Sequence, residues 1–168
     1  MNTFFPSRLL GIAATAAVIA GAAGLAQAAT TGAAMPVSAT VPVSCSAAAG
    51  TAMAFNSLTT TLALAVSQAD ASGSITVTCT SGASYSVVAG DGNNYSSGWR
   101  MVNGSSQYVT YSLYSDSGRS TAFPRTGTTL GGTGNGSAQT ITAYGRIPAQ
   151  TAGGSGSFTD SVTFTVTY

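Results

Sequence analysis

Beyond position 28, apolar residues recur at every second position and nowhere keep a helical spacing for three turns. That period places one face of a strand inward and the other outward. The strongest run is residues 158–168. There Phe158, Val162, Phe164, Val166 and Tyr168 share one face, interrupted by Asp160, and Thr159, Ser161, Thr163, Thr165 and Thr167 share the other. The same period runs through Ile75, Val77 and Cys79; through Tyr85, Val87 and Ala89; through Val109, Tyr111 and Leu113; and through Ile141 and Ala143, with Leu62, Leu64 and Val66 a weaker case. Turn formers separate these runs: Asp91-Gly92, Asn103-Gly104, Asp116-Ser117-Gly118, and the glycine-rich residues 131–136. Short alternating strands at this spacing predict an all-β sandwich.

The first 28 residues follow a different rule. Arg8 precedes an apolar, alanine-rich stretch over residues 9–25, and Ala26-Gln27-Ala28 places small residues where a signal peptidase reads them. This is the pattern of a secretory signal cleaved after Ala28. A membrane anchor is the competing reading, disfavoured by Gly11, Gly21 and Gly24 and by the small-x-small end. Export leads to an oxidising compartment, where Cys45 and Cys79 are expected to form the one disulfide. A loop of this size contributes roughly 4 kcal/mol on the chain-entropy model. About 140 residues remain after cleavage, enough for a single domain with a substantial core.

Composition narrows the chemistry. Lys, Glu and His are absent, and the mature part balances Arg100, Arg119, Arg125 and Arg146 against Asp70, Asp91, Asp116 and Asp160. No basic field is available for nucleic acid, no His for a zinc site or a catalytic triad, and no pair of neighbouring acids for glycoside hydrolysis. An enzyme is not expected, nor is a cofactor or a metal. Asp160 is read as tying the last strand to a turn or pairing with an arginine such as Arg146. Asp91-Gly92-Asn93-Asn94 lacks the closing Glu of an EF-hand and reads as a hairpin loop. Residues 132–136 have neither the Lys nor the helix of a phosphate cradle. Trp99 and the seven tyrosines are assigned to core or subunit packing rather than to a sugar platform.

Two features do not suit a self-sufficient sandwich. Residues 29–44 form a tail in which Met35, Val37, Ala39, Val41 and Val43 alternate, with Pro36 and Pro42 off that apolar face. This composition fits an edge or an added strand. The most strongly alternating strand, residues 158–168, is expected to present a bare edge, and an edge of that kind invites another strand.

Several segments now resemble a known family. They are Cys45, Ile75-Thr76-Val77-Thr78-Cys79, Arg100-Met101, Tyr111-Ser112-Leu113-Tyr114-Ser115-Asp116, Tyr144-Gly145-Arg146-Ile147-Pro148-Ala149-Gln150, and the closing residues 158–168. Together they resemble the spore coat protein U family, which includes the subunits of archaic chaperone-usher (Csu-type) pili. Asn56, the segment Ala122-Phe123-Pro124, and Phe158 depart from the family pattern in ways that alter packing. The resemblance implies an incomplete immunoglobulin-like sandwich completed by a strand donated from a neighbouring subunit. Residues 29–40 would be the donor segment, with Met35, Val37, Ala39 and Val41 inserted. Residues 41–168 would be the pilin domain, with Phe158, Val162, Phe164, Val166 and Tyr168 on the accepting edge. The implied partners are identical or related pilus subunits, a periplasmic chaperone and an outer-membrane usher. The implied place is the cell surface, and the implied role is a structural pilus subunit used in adhesion and biofilm formation. A non-fimbrial surface or spore-coat protein and a carbohydrate-binding tip adhesin are the alternatives.

Overall fold

The structure is a computed structural model that describes residues 27–56, 58, 63–127 and 129–168. Residues 1–26 of the expected leader, and the expected strand position Leu62, lie outside the described residues. The chain divides into two units, Met1–Ala39 and Thr40–Tyr168. In the first, residues 27–39 form no strand and all their side chains are exposed.

The second unit contains eleven strands and no helix among its described residues. They are β1 (Cys45–Ala49), β2 (Ala65–Val66), β3 (Ala69–Cys79), β4 (Ser84–Ala89), β5 (Arg100–Val102), β6 (Tyr108–Thr110), β7 (Ser112–Tyr114), β8 (Leu130–Thr133), β9 (Ala138–Ile147), β10 (Gln150–Thr151) and β11 (Phe164–Thr167). One sheet has the order β1-β3-β9-β7 and another the order β11-β4-β8; β10-β2 and β5-β6 form two-stranded ribbons. All the ladders are antiparallel. Val77, Cys79, Leu113, Ala143 and Ile147 from the first sheet and Tyr85, Val87 and Ala89 from the second join one buried cluster. The two sheets therefore share a core, as alternation on antiparallel strands requires.

Three expectations need correction. The run through Val109, Tyr111 and Leu113 is two strands, because β6 pairs with β5 and β7 with β9. Tyr111 lies at the change of partner and donates its backbone N–H to the Trp99 carbonyl at 3.0 Å. The glycine-rich residues 131–136 are only partly a turn. Gly131 and Gly132 pair with Ser86 and Tyr85, and the Tyr85 ring lies where a side chain on Gly132 would stand.

The third correction concerns the last strand, whose alternation holds although its ladder is short. Phe158, Asp160, Val162, Phe164 and Val166 are half-buried and the intervening residues exposed, but hydrogen-bonded pairing with β4 covers only β11. Thr159 instead bridges Val102 on β5. The chain changes partner between these points, and Asp160 sits at the change. Tyr168 follows the last rung of β11 and is 61% exposed.

Candidate functional site

The site is a groove on the open side of the sandwich. β1 and β11 are edge strands of their sheets, and neither has a partner on its outer side among the described residues. The inward positions of β1 pair with inward positions of β3, Ala47 with Val77 and Ala49 with Ile75. Val77 is fully buried, yet Ala47 and Ala49 are exposed. Their face of the sheet thus lacks cover from the opposite side. A hollow of about 430 Å³ lies there, with Ala49, Gly50, Met53 and Phe55 on one bank, Phe158, Val162 and Phe164 on the other, and Tyr111, Leu113 and Ala143 in the floor. A second hollow of about 570 Å³ shares Met53, Phe55, Met101 and Phe158 with the first and extends toward Leu64, Ile147 and Ala152.

Local chemistry positions each wall. After β1 the chain keeps to β3 through Gly50 N–H to the Ser74 carbonyl at 3.0 Å and Ser74 N–H to the Thr51 carbonyl at 2.8 Å. Met53 and Phe55 then lie over Gly145, where they occupy the space a side chain would fill. On the other bank Phe164 packs edge-on against Phe123, with ring centroids 5.2 Å apart. Trp99 stacks on Tyr111, and Phe55 lies tilted against it. Ala49 and Gly50 fill little of the space opposite Phe158, Val162 and Phe164, which leaves a trough of side-chain depth.

Among the described residues, Asp160 is the one acidic side chain lining the first hollow. Its Oδ2 accepts the Tyr111 hydroxyl at 2.7 Å, and its Oδ1 accepts the Asn93 N–H at 2.9 Å and the Asn94 side-chain amide at 3.2 Å. Burial, and then the hydrogen bond to Asp160, push the Tyr111 phenol well above its ordinary range, which keeps it a donor. Gly92 has φ +75°, and a Cβ there would stand 2.5 Å from Asp160 Oδ2; glycine is required on both counts. The expected tie between the last strand and a turn is therefore present. The expected pairing with Arg146 is not, because Arg146 bonds both Asp70 oxygens, at 2.8 and 2.9 Å, as their cross-strand register on β3 and β9 dictates.

The cysteines are joined, Cys45 to Cys79 across the first rung of the β1–β3 ladder. Of the accepting-edge residues, Phe158, Val162, Phe164 and Val166 pack against the core and Tyr168 does not. Met35, Val37 and Val41 are 81%, 84% and 81% exposed, and Ala39 is exposed as well. Sequence reasoning missed the bank over residues 49–55. Its signal was present in the alternating Met53 and Phe55 after a run of alanines, too short to register as a strand.

Against known proteins, none of the curated sequences compared with the chain matches it. One matching solved structure is the crystal structure of the CsuC-CsuE chaperone-tip adhesion subunit pre-assembly complex from archaic chaperone-usher Csu pili of Acinetobacter baumannii. The match is at TM-score 0.58 and 16% identity and covers 77% of this chain, which spans 41% of the chain it matches; it establishes a shared fold. The family model of the Spore Coat Protein U domain matches residues 31–165, and the chain belongs to that family.

Proposed function

We propose that the chain is a structural subunit of a chaperone-usher fibre, in which the tail of one copy fills the groove of the next. The observation that carries this reading is a mutual deficit: a groove lacking one strand's worth of apolar cover, and an exposed segment with the alternation of such a strand. Backbone hydrogen bonds to the bare edge of β11 would hold the incoming strand, and side chains entering the trough would set its register. Of the alternating Met35, Val37, Ala39 and Val41, the first, second and fourth supply larger residues where β1 presents alanines. Burying the three larger ones stabilises the junction by roughly 5–9 kcal/mol before ordering costs, at about 1.5–3 kcal/mol each. Until a second copy arrives, a periplasmic chaperone would fill the groove and an outer-membrane usher would broker the exchange. The finished fibre would stand on the cell surface and serve adhesion and biofilm formation.

The test is a graft. Residues 29–41, placed after Tyr168 through a flexible linker in a chain deprived of its own tail, should give a monomer that folds without a chaperone and unfolds at higher urea than the ungrafted, tail-deleted chain. A graft that adds no stability, or a tail-deleted chain that still forms fibres, would sink the reading and favour a coat protein assembled by other contacts.

A further inference from the structure

We propose that the Cys45–Cys79 bridge keeps the groove of a subunit intact while that subunit's own tail is under tension, an inference that rests on the strand-exchange reading above. In such a fibre each subunit is held at two places, through its tail and through the strand in its groove. Both places belong to one stretch of chain. The tail runs directly into β1 at Cys45, and β1 runs directly into the bank formed by Gly50, Met53 and Phe55. A pull on the tail is therefore a pull on the wall that retains the neighbour's strand.

β1 is poorly equipped to resist that pull alone. It has five residues, four of them exposed, and among the described residues its one ladder partner is β3. Its inward side chains beyond Cys45 are alanines, which bury little. Hydrogen bonds broken one rung at a time from a strand end resist force singly, so stripping would begin at the rung nearest the tail and proceed into the bank. The disulfide occupies that first rung. Beyond it toward the tail, among the described residues, Ser44 alone adds backbone contact, its carbonyl accepting the Thr80 N–H at 2.9 Å and its N–H donating to Thr80 Oγ1 at 3.1 Å. Tension arriving at Cys45 crosses the covalent bond to β3, which is held to β9 by ten paired residues and contributes Val77 and Cys79 to the buried core. The position of the bridge along β1 is thus the informative observation. A bond farther along would tie the same two strands and still allow the near end to strip.

Fibres assembled from the full chain can be stretched singly in an optical trap, before and after reduction by a small dithiol. The unreduced fibre should show no extension step before a junction parts. After reduction each subunit should first release residues 45–55, up to about 40 Å of free contour. Junction lifetime under constant tension should then fall on the order of tenfold or more, the loss appearing in the dissociation rate. Reduced fibres at rest should remain assembled. A second variant moves the bond: Cys45→Ser and Cys79→Ser combined with Ala49→Cys and Ile75→Cys, which joins the last rung instead of the first. It should restore the lifetime while freeing at most four residues, about 14 Å. If the variant does not fold, reduction of preassembled wild-type fibres still decides the matter. Identical stretching and lifetime with and without reductant would overturn the proposal. Fibres formed by a chain lacking residues 29–40 would instead remove the strand-exchange reading, and this inference with it.

Discussion

Asp160 stands where the alternation of the last strand calls for an apolar side chain, and it is accommodated because three donors meet it there. Removing the carboxylate leaves the buried Tyr111 hydroxyl without its acceptor at the groove, at about 1–3 kcal/mol, whereas the exposed Asn93 N–H can turn to water. Asp160→Ala should therefore lower the urea midpoint substantially, Tyr111→Phe should cost about 1 kcal/mol, and the double variant should lose less than the sum of the two. The titration behaviour follows from two other observations. The hydrogen bond from Arg146 holds the Asp70 carboxyl below its ordinary value of 3.8. That contribution is complete above the ordinary value and is lost as pH falls through the lower, folded one. Tyr111 is raised, so its contribution is complete below 10 and is lost as pH climbs beyond. With no His in the chain, unfolding midpoints should be level from about pH 6 to 9 and fall at both extremes. Asp70→Asn should blunt the acid limb and Tyr111→Phe the alkaline one. A step centred near neutrality would contradict this account.

At the scale of elements, the tail and the last strand make the sharpest contrast. Val37→Asp would bury an unpaired charge in the neighbour's groove at a cost of several kcal/mol, whereas Ser38→Asp, one residue on, would face outward. The first should accumulate as monomer and the second should still polymerise, as scored by fractionation of secreted material. On β8, Gly132→Val should cost about 1–3 kcal/mol in thermal or urea unfolding, because the Tyr85 ring must be displaced. These elements also show what was legible in the sequence. Period-two alternation identified β3, β4, β9 and the inward face of residues 158–166, because one buried face leaves that imprint directly. Partner choice leaves no such imprint: nothing local to Tyr111 or Thr159 announces that the chain passes from one ladder to another there. Gly131 and Gly132 read as a turn because the reason for glycine, an aromatic ring supplied by β4, lies more than forty residues away. The groove was half visible, as an edge without a partner, while its other bank at Met53 and Phe55 was not.

For the whole molecule, consider the order in which the ladders become possible. Ala89 pairs with Phe164, and Asp70 meets Arg146 across 76 residues of sequence. Neither sheet can be completed until nearly all the chain is available, and each long loop must be closed before its contacts repay the closure. Refolding of the unassembled chain should then be slow, in the range of milliseconds to seconds, as for other β sandwiches with distant pairings. Stopped-flow fluorescence of Trp99 would measure it. During that interval the apolar faces of β3 and β4 wait uncovered, and encounters between chains compete with closure within one. Yield should consequently fall as concentration rises, and a synthetic strand of residues 29–43 should restore it by capping the groove as it forms. The distance between β4 and β11 along the chain thus acts as a clock, setting how long the uncovered faces stay open to other chains before they close on each other.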